Sequence, residues 1–350
     1  MRNPRNKKVA VALSGGVDSS VSAYLLKEQG FDVSGVFMRL WKEPCSKKRG
    51  RESEKRAGLV SKKLGIPFYV FNFEKEFKDK IVEYFLKEYK NYRTPNPCII
   101  CNKEIKFGLF LKKALEMGFD YIATGHYVKV RNKGSKSLLY RAKDKNKDQS
   151  YFLWKLTQKE LKKTLFPIGD YNKKQVREIA KRNKLPVHSA SESQEICFIY
   201  KEIDDFLRKH LKEKKGEIID TNKRVLAFHK GLWFYTIGQR KGIGLSGGPY
   251  YVVFKDFKNN ILIVSDKEKD LLKKELTAAN VNWISSTEPN LPFEAKAKIR
   301  YRHNSTKAVI SSKFKNRYKI SFKRPQRAIT SGQSIVFYKD NELLGGGIIA

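Results

Sequence analysis

Lys7-Lys8-Val9-Ala10-Val11-Ala12-Leu13-Ser14-Gly15-Gly16-Val17-Asp18-Ser19-Ser20-Val21 is the stretch that decides the fold. The apolar run from Lys7 to Leu13 reads as a buried strand. Val17, Val21 and Leu25 then recur at helical spacing until Gly30 supplies a stop, and a second strand, Phe31 to Met38, follows at once. Strand, turn, helix and strand within roughly thirty residues open a parallel α/β sheet with right-handed crossovers. The turn itself, Ser14 to Ser20, lies where backbone N–H groups and the positive end of a helix converge on an anion, so phosphate belongs there. Its two glycines let the main chain approach closely, its serine hydroxyls add donors, and Asp18 suits either holding a magnesium ion or organising the turn.

The nucleotide-triphosphate pattern GxxxxGK[ST] is absent, because no lysine follows the glycines. SGGVDSS instead resembles the pyrophosphate loop of ATP pyrophosphatases, which implies cleavage of ATP between its α and β phosphates and transfer of AMP to a substrate oxygen.

Outward from the loop, Ile66 to Phe71 and Tyr121 to Thr124 read as further strands, with helices around Lys80 to Tyr89 and Phe107 to Met117. Asn172 can cap a helix running to Leu185, with Pro186 just beyond its end. Past about Lys201 the pattern changes to short β-rich segments, including a hairpin about Lys258-Asn259-Asn260. From about Thr277, Phe293, Ala295, Ala297, Ile299 and Tyr301 alternate with charged residues, as in a terminal antiparallel barrel or sandwich.

The chain has 350 residues, 40% of them hydrophobic, which is enough apolar material for two or three cores. Lys plus Arg number 73 against 36 Asp plus Glu, a formal +37 that makes nucleic acid the leading partner class. The basic start MRNPRNKK runs into VAVAL but is cut short by Ser14-Gly15-Gly16, so no export signal is read. No apolar run approaches the roughly 18 residues of a spanning helix, and a cytoplasmic protein with no membrane partner is expected.

Four cysteines are too few for a disulfide framework and suit a reducing compartment where thiols do chemistry. Cys98 and Cys101 form a CxxC pair just ahead of a helix, a setting whose dipole favours thiolate. Cys197, in Ser193-Gln194-Glu195-Ile196-Cys197-Phe198, falls in a loop able to fold back over that site, whereas Cys45 reads as an ordinary thiol.

Taken together, SGGVDSS, TPNPxxxCNxxIKF, ATGHY, KDQSYFLW, FPIGDY, SQEICF and GLWFYTIGQRKG resemble the tRNA-specific 2-thiouridylases through nearly the whole chain. The resemblance implies an α/β fold: a parallel-sheet, adenine nucleotide alpha hydrolase-like ATP pyrophosphatase domain (1–200), a small β-rich central domain (201–276) and a C-terminal β-barrel (277–350). It implies action on the wobble uridine of tRNAs for Lys, Glu and Gln, with ATP, Mg2+ and a persulfide donor such as a cysteine desulfurase relay protein; a monomer is expected. Carried over by motif, Cys101 is the catalytic thiol and Cys197 bears the persulfide. ATP contacts fall to Ala12, Leu13, Ser14, Gly15, Gly16, Val17, Asp18, Ser19, Met38 and Gly125. Contacts to tRNA fall to Asn96, Pro97, Cys98, His126, Lys147, Asp148, Gln149, Arg300, Tyr301 and Gln333.

The chemistry agrees with that assignment: the C2 oxygen of uridine leaves poorly, adenylation turns its loss into loss of AMP, and a persulfide sulfur then attacks C2. One departure is Cys98, where the familiar relatives carry an Asp cast as acid or base. An alternative therefore has Cys98, Cys101 and Cys197 ligating an iron-sulfur cluster with one iron open for sulfide, and a zinc site is a further one. Trp154, Trp233 and Trp283 read as core residues rather than stacking platforms, and Arg240 and Lys241 as either phosphate contacts or a basic turn. Two rival functions remain at this level: a pyrophosphatase that ligates or amidates a small molecule, and a non-catalytic basic RNA-binding protein.

Overall fold

The computed structural model describes residues 6–44, 47–187, 196–199, 202–315 and 317–350. Cys45, the first five residues, Lys201, and Ser193, Gln194 and Glu195 of the SQEICF motif lie outside the described residues.

β1 (Lys8–Ala12) forms the middle of a five-stranded parallel sheet with β2 (Asp32–Arg39), β3 (Phe68–Asn72), β4 (Tyr121–Ala123) and β7 (Thr164–Leu165), in the order β3-β2-β1-β4-β7. Val9, Ala10 and Val11 are all buried, the continuous apolar signature of a parallel strand covered on both faces. α1 (Val17–Glu28) buries Val17, Val21 and Leu26, and Gly30 (φ +86°) provides the stop read from the sequence. α2 (Lys47–Leu64) was not foreseen: it is mostly charged and buries only Ala57, Val60, Ser61 and Leu64, a stripe too narrow to register as a periodic pattern.

The helix Pro97–Cys101 passes without a break through a π-helical stretch, Asn102–Leu109, into Phe110–Glu116. The helix Lys173–Arg182 begins as expected at Asn172, whose side chain accepts from Gln175 N–H while Gln175 Oε1 accepts from Asn172 N–H. It ends three residues before Leu185, and Lys184 takes a positive φ of 50°.

Beyond it, β8 (Gly216–Asp220), β9 (Val225–His229), β10 (Tyr251–Asp256) and β11 (Ile261–Ser265) form a four-stranded sheet, order β10-β11-β8-β9. The β10–β11 hairpin turns at Asn260 (φ +57°), where the sequence indicated. Six further strands, β12 (Leu272–Trp283), β13 (Phe293–Lys298), β14 (Thr306–Phe314), β15 (Arg317–Arg327), β16 (Ser334–Lys339) and β17 (Glu342–Ile349), close into an antiparallel barrel through the β12–β17 pairing. Of the two sequence alternatives, barrel and sandwich, it is the barrel.

One connection escaped the sequence. The hairpin of β5 (Val128–Lys133) and β6 (Lys136–Arg141), which follows directly on β4, leaves the parallel sheet and adds to the barrel edge by pairing Tyr140 with Glu342 and Leu139 with Leu343. Trp154 is fully buried at the same junction, where a Cβ added to Gly346 of the barrel would lie 2.8 Å from its Cγ. Trp154 and Trp283 are core residues as read, and Trp233 is partly buried and stacked on Tyr92.

Candidate active site

The loop lies at the carboxyl end of β1, beside the carboxyl end of β4, which is where open parallel sheets form their ligand crevices. Ser19 Oγ accepts from Ser14 N–H (3.1 Å), meets Ser14 Oγ (3.2 Å) and donates to Gly16 O (3.1 Å), while Ser20 Oγ donates to the same carbonyl (2.9 Å). Gly15 has φ +75°, and a Cβ there would fall 2.3 Å from the carbonyl oxygen of Ser53 on α2. Arg56, three residues along α2, donates from Nε to Gly15 O (3.1 Å). From the other side a Cβ on Gly125 would lie 2.7 Å from the backbone nitrogen of Ser19, so Gly125 is what lets the end of β4 touch the start of α1. Asp18 is turned aside: Lys173 Nζ lies 2.7 and 2.9 Å from its two oxygens, and Tyr127 OH donates to Oδ1 (2.8 Å). Lys173 thus pairs with the Asp18 carboxylate from a distant helix, an arrangement in keeping with an organising role for Asp18.

The residue after Gly125 connects the loop to the thiols. His126 is buried, with Nδ1 2.8 Å from Thr124 Oγ1 and Nε2 3.5 Å from Lys106 Nζ. Burial, with the Lys106 charge beside it, holds its imidazole well below the ordinary pKa, hence neutral. Cys101 is buried and Cys197 exposed, both as free thiols. Burial pushes the Cys101 thiol up, Lys106 pulls it down, and the charges of Cys197 and Cys98 push it up again. Although Cys197 keeps an exposed surface, desolvation of its thiol by the surrounding protein raises the pKa here too, and Lys106 and Lys42 oppose that rise. The sequence placed the CxxC pair just ahead of a helix; instead both cysteines lie inside one that already starts at Pro97, and the thiolate-favouring effect expected there is overturned at Cys101, where desolvation is the largest influence. Lys42 also feels Arg56, so one set of charges runs from the loop to Cys197. The sequence reading assigned no role to Lys42, Arg56, Lys106 or Lys173; only Lys106 stood inside a quoted motif.

Residues 7–201 match the family model described as tRNA methyl transferase HUP domain, 204–266 the tRNA methyl transferase PRC-barrel domain, and 273–349 the aminomethyltransferase beta-barrel domain. The tRNA-specific 2-thiouridylase MnmA of Clostridioides difficile (strain 630) is 47% identical over 98% of this chain and 98% of its own length. MnmA 1 of Clostridium botulinum (strain Loch Maree / Type A3) is 47% identical over 98% of this chain and 99% of its own. The chain belongs to the tRNA-specific 2-thiouridylase family. A solved structure, the U34-tRNA thiolase NcsA from Methanococcus maripaludis with its 4Fe-4S cluster, is 21% identical with a TM-score of 0.37 over 54% of this chain and 61% of its own, too distant to bear on the site.

The tRNA contacts that the resemblance to the 2-thiouridylases implies divide into two groups here. Asn96, Pro97, Cys98 and His126 lie around the thiols, on or beside the helix that begins at Pro97 and the end of β4. Asp148 is buried and accepts from Ala142 N–H, Ser150 N–H and Ser150 Oγ, so it straps its own loop, next to Lys147. Gln149 Oε1 accepts from Tyr127 N–H. Arg300 donates to Ile237 O, Ala328 O and Thr330 Oγ1, tying the barrel to the central domain. Tyr301 packs on Phe152, and Gln333 Nε2 donates to Thr94 O and Pro95 O at the start of the TPNP segment. Met38 is the last residue but one of β2, partly buried against the core. The family implies ATP and magnesium; among the described residues no group of three or more His, Cys, Asp or Glu is gathered to hold a metal ion. Among the described residues no helix is long and apolar enough to cross a membrane.

Proposed function

We propose that this chain is a tRNA-specific 2-thiouridylase that uses ATP to adenylate the C2 oxygen of the wobble uridine in tRNAs for Lys, Glu and Gln, then exchanges that oxygen for persulfide sulfur, releasing AMP and pyrophosphate. One observation supports it above the others: Gly125 packs on the glycine-serine loop, and its neighbour His126 meets Lys106, whose charge reaches both Cys101 and Cys197. This chain of neighbours from the loop through Gly125, His126 and Lys106 supports a uridine activated on one side and attacked from the other. A small-molecule ligase would have no use for the two thiols, and a passive RNA binder none for the loop.

In the scheme, the uridine C2 oxygen attacks the α-phosphate of ATP and pyrophosphate leaves. The terminal sulfur of a Cys197 persulfide attacks C2 and AMP leaves. Cys101 thiolate then attacks the Cys197 sulfur, so that the sulfur-sulfur bond breaks, the outer sulfur stays on C2, and a Cys101–Cys197 disulfide forms. An external thiol reductant reopens it. Magnesium comes with the triphosphate and screens its charge, while the loop N–H groups and serines hold the phosphates. The ATP and tRNA contacts, the division at 200 and 276, a relay protein as persulfide donor, a monomer and a cytoplasmic setting all go with this reading. The cluster reading of Cys98, Cys101 and Cys197 is its competitor at the sulfur step.

Nucleoside mass spectrometry on tRNA incubated with the protein, ATP, magnesium and a persulfide donor tests it. 2-Thiouridine must appear with AMP and pyrophosphate, dependent on unmodified tRNA, and must vanish in Cys197→Ser. Stoichiometric iron and sulfide after anaerobic purification would favour the cluster instead.

A further inference from the structure

Cys101 and Lys106 are five residues apart, a spacing that an ordinary α-helix would place about 140° apart around the axis, on different faces. Here the segment between them is not α-helical. Asn102–Leu109 is a π-helix, bonded i→i+5 up to Phe110 N–H on Ile105 O, and this wider turn returns the fifth residue to the face of the first. A reason for the wide turn lies in Gly108: a Cβ there would sit 2.8 Å from the backbone oxygen of Lys103, five residues earlier. Glycine is thus the residue that lets the turn close at that point.

The far end of Lys106 is also fixed. An ammonium can only donate, so His126 Nε2, 3.5 Å away, is the acceptor, which leaves the ring proton on Nδ1 to be donated to Thr124 Oγ1 at 2.8 Å. Thr124 and His126 are both buried and follow directly on β4, a rigid support. Nothing in the adenylation step requires a cation there, yet its charge acts on Cys101, Cys197 and His126 alike.

We propose that Lys106 is a positioning residue for sulfur transfer: turned onto the face of Cys101 by the π-helical segment that Gly108 permits, and anchored by His126, it stabilises the negative sulfur that each step starts from, first the Cys197 persulfide and then the Cys101 thiolate. The inference rests on the thiouridylase reading for its purpose, but not for its electrostatics. Burying a thiolate is costly, and a fixed ammonium offsets that cost at both ends of the transfer without changing any bond itself. Lys42, near Cys197 but in the loop's set of charges, serves only one end.

The test reads charge directly. Cys197 is exposed, so its alkylation by the uncharged reagent iodoacetamide is followed by peptide mass spectrometry from about pH 6 to about pH 11.5, without ATP or tRNA. Lys106→Met should move the midpoint of the rate profile up by about one unit, a drop of about tenfold at neutral pH. Lys106→Arg should restore most of the shift, since it keeps the charge. Gly108→Ala should shift the profile in the same direction as Lys106→Met by turning the lysine away, with a matching melting curve showing that the fold is kept. A Lys106→Met profile superposing on wild type overturns the proposal, as does an arginine variant no better than methionine. Failure of the wild-type protein to make 2-thiouridine, with the alkylation shift intact, would instead sink the functional reading and leave the electrostatic device standing.

Discussion

Lys173 Nζ sits between the two carboxylate oxygens of Asp18, 2.7 and 2.9 Å away, so a lysine from a helix more than 150 residues later in the chain clamps the phosphate loop. The pair is well shielded on the lysine side, and Tyr127 completes it with a third hydrogen bond to Asp18. The carboxylate therefore fixes the first turn of α1 and, with it, the backbone of the glycine-serine loop that precedes it.

Lys173→Met should accordingly lower tRNA-dependent AMP formation by at least about tenfold while leaving tRNA affinity intact, and should destabilise the fold by about 2 kcal/mol, as loss of charged hydrogen bonds does. Asp18→Asn should lose activity more completely. Unchanged AMP production in the lysine variant, measured by chromatography of the nucleotides, would show that the clamp has no part in ATP handling.

Gly125→Ala places a methyl group 2.7 Å from Ser19 N and 2.8 Å from Asp18 C, both backbone atoms that cannot swing aside. Either the loop or the end of β4 must shift. A shift of this order at a reacting centre costs about a hundredfold in rate, and overpacking of this kind about 1–3 kcal/mol in stability. Steady-state kinetics with ATP, beside a thermal melt, checks both.

The free thiols should differ in reactivity. Desolvation raises the pKa of both thiols, but Cys197 is exposed at the surface and Cys101 buried, so iodoacetamide at neutral pH should label Cys197 at least about tenfold faster than Cys101. Peptide mass spectrometry after brief exposure decides it; equal labelling would mean that the site opens freely in the absence of tRNA.

Lys255, on β10, is buried and donates to Tyr92 O (2.7 Å) and Tyr235 O (3.0 Å) across the join between the first two domains. Burial pushes its pKa down from 10.5 to about 8. Between those two values the unfolded chain holds the proton more firmly than the folded one, so stability from this group rises as pH climbs through the window and is least below pH 8. The stability of wild type relative to Lys255→Met should therefore grow by up to about 3 kcal/mol from pH 8 to pH 10.5. A difference that stays flat across that range in urea titrations would refute the shift.

Much of this protein could be read from the order of its residues, because the relevant forces act over short stretches of chain. The apolar run before Ser14-Gly15-Gly16, the helical spacing after it and the hairpin at Asn260 are local patterns, and each forms where the pattern puts it. The family motifs likewise name residues, and naming Cys101 and Cys197 needed no coordinates. What the sequence could not supply is what depends on distant segments meeting. The clamp of Lys173 on Asp18, the seating of α2 on Gly15 through Ser53 and Arg56, and the loan of the β5–β6 hairpin to the barrel each join parts of the chain with no local signature. The same holds for the thiols. A helix start favours thiolate by local rule, yet Cys101 is raised by desolvation, which depends on everything packed around it, and is pulled back by Lys106 only because a π-helical turn brings the two to one face. Short-range preference therefore determined the elements and the reactive groups, while the tertiary structure decided their protonation and their partners, because burial and Coulomb interactions add over the whole surroundings of a group rather than along its sequence.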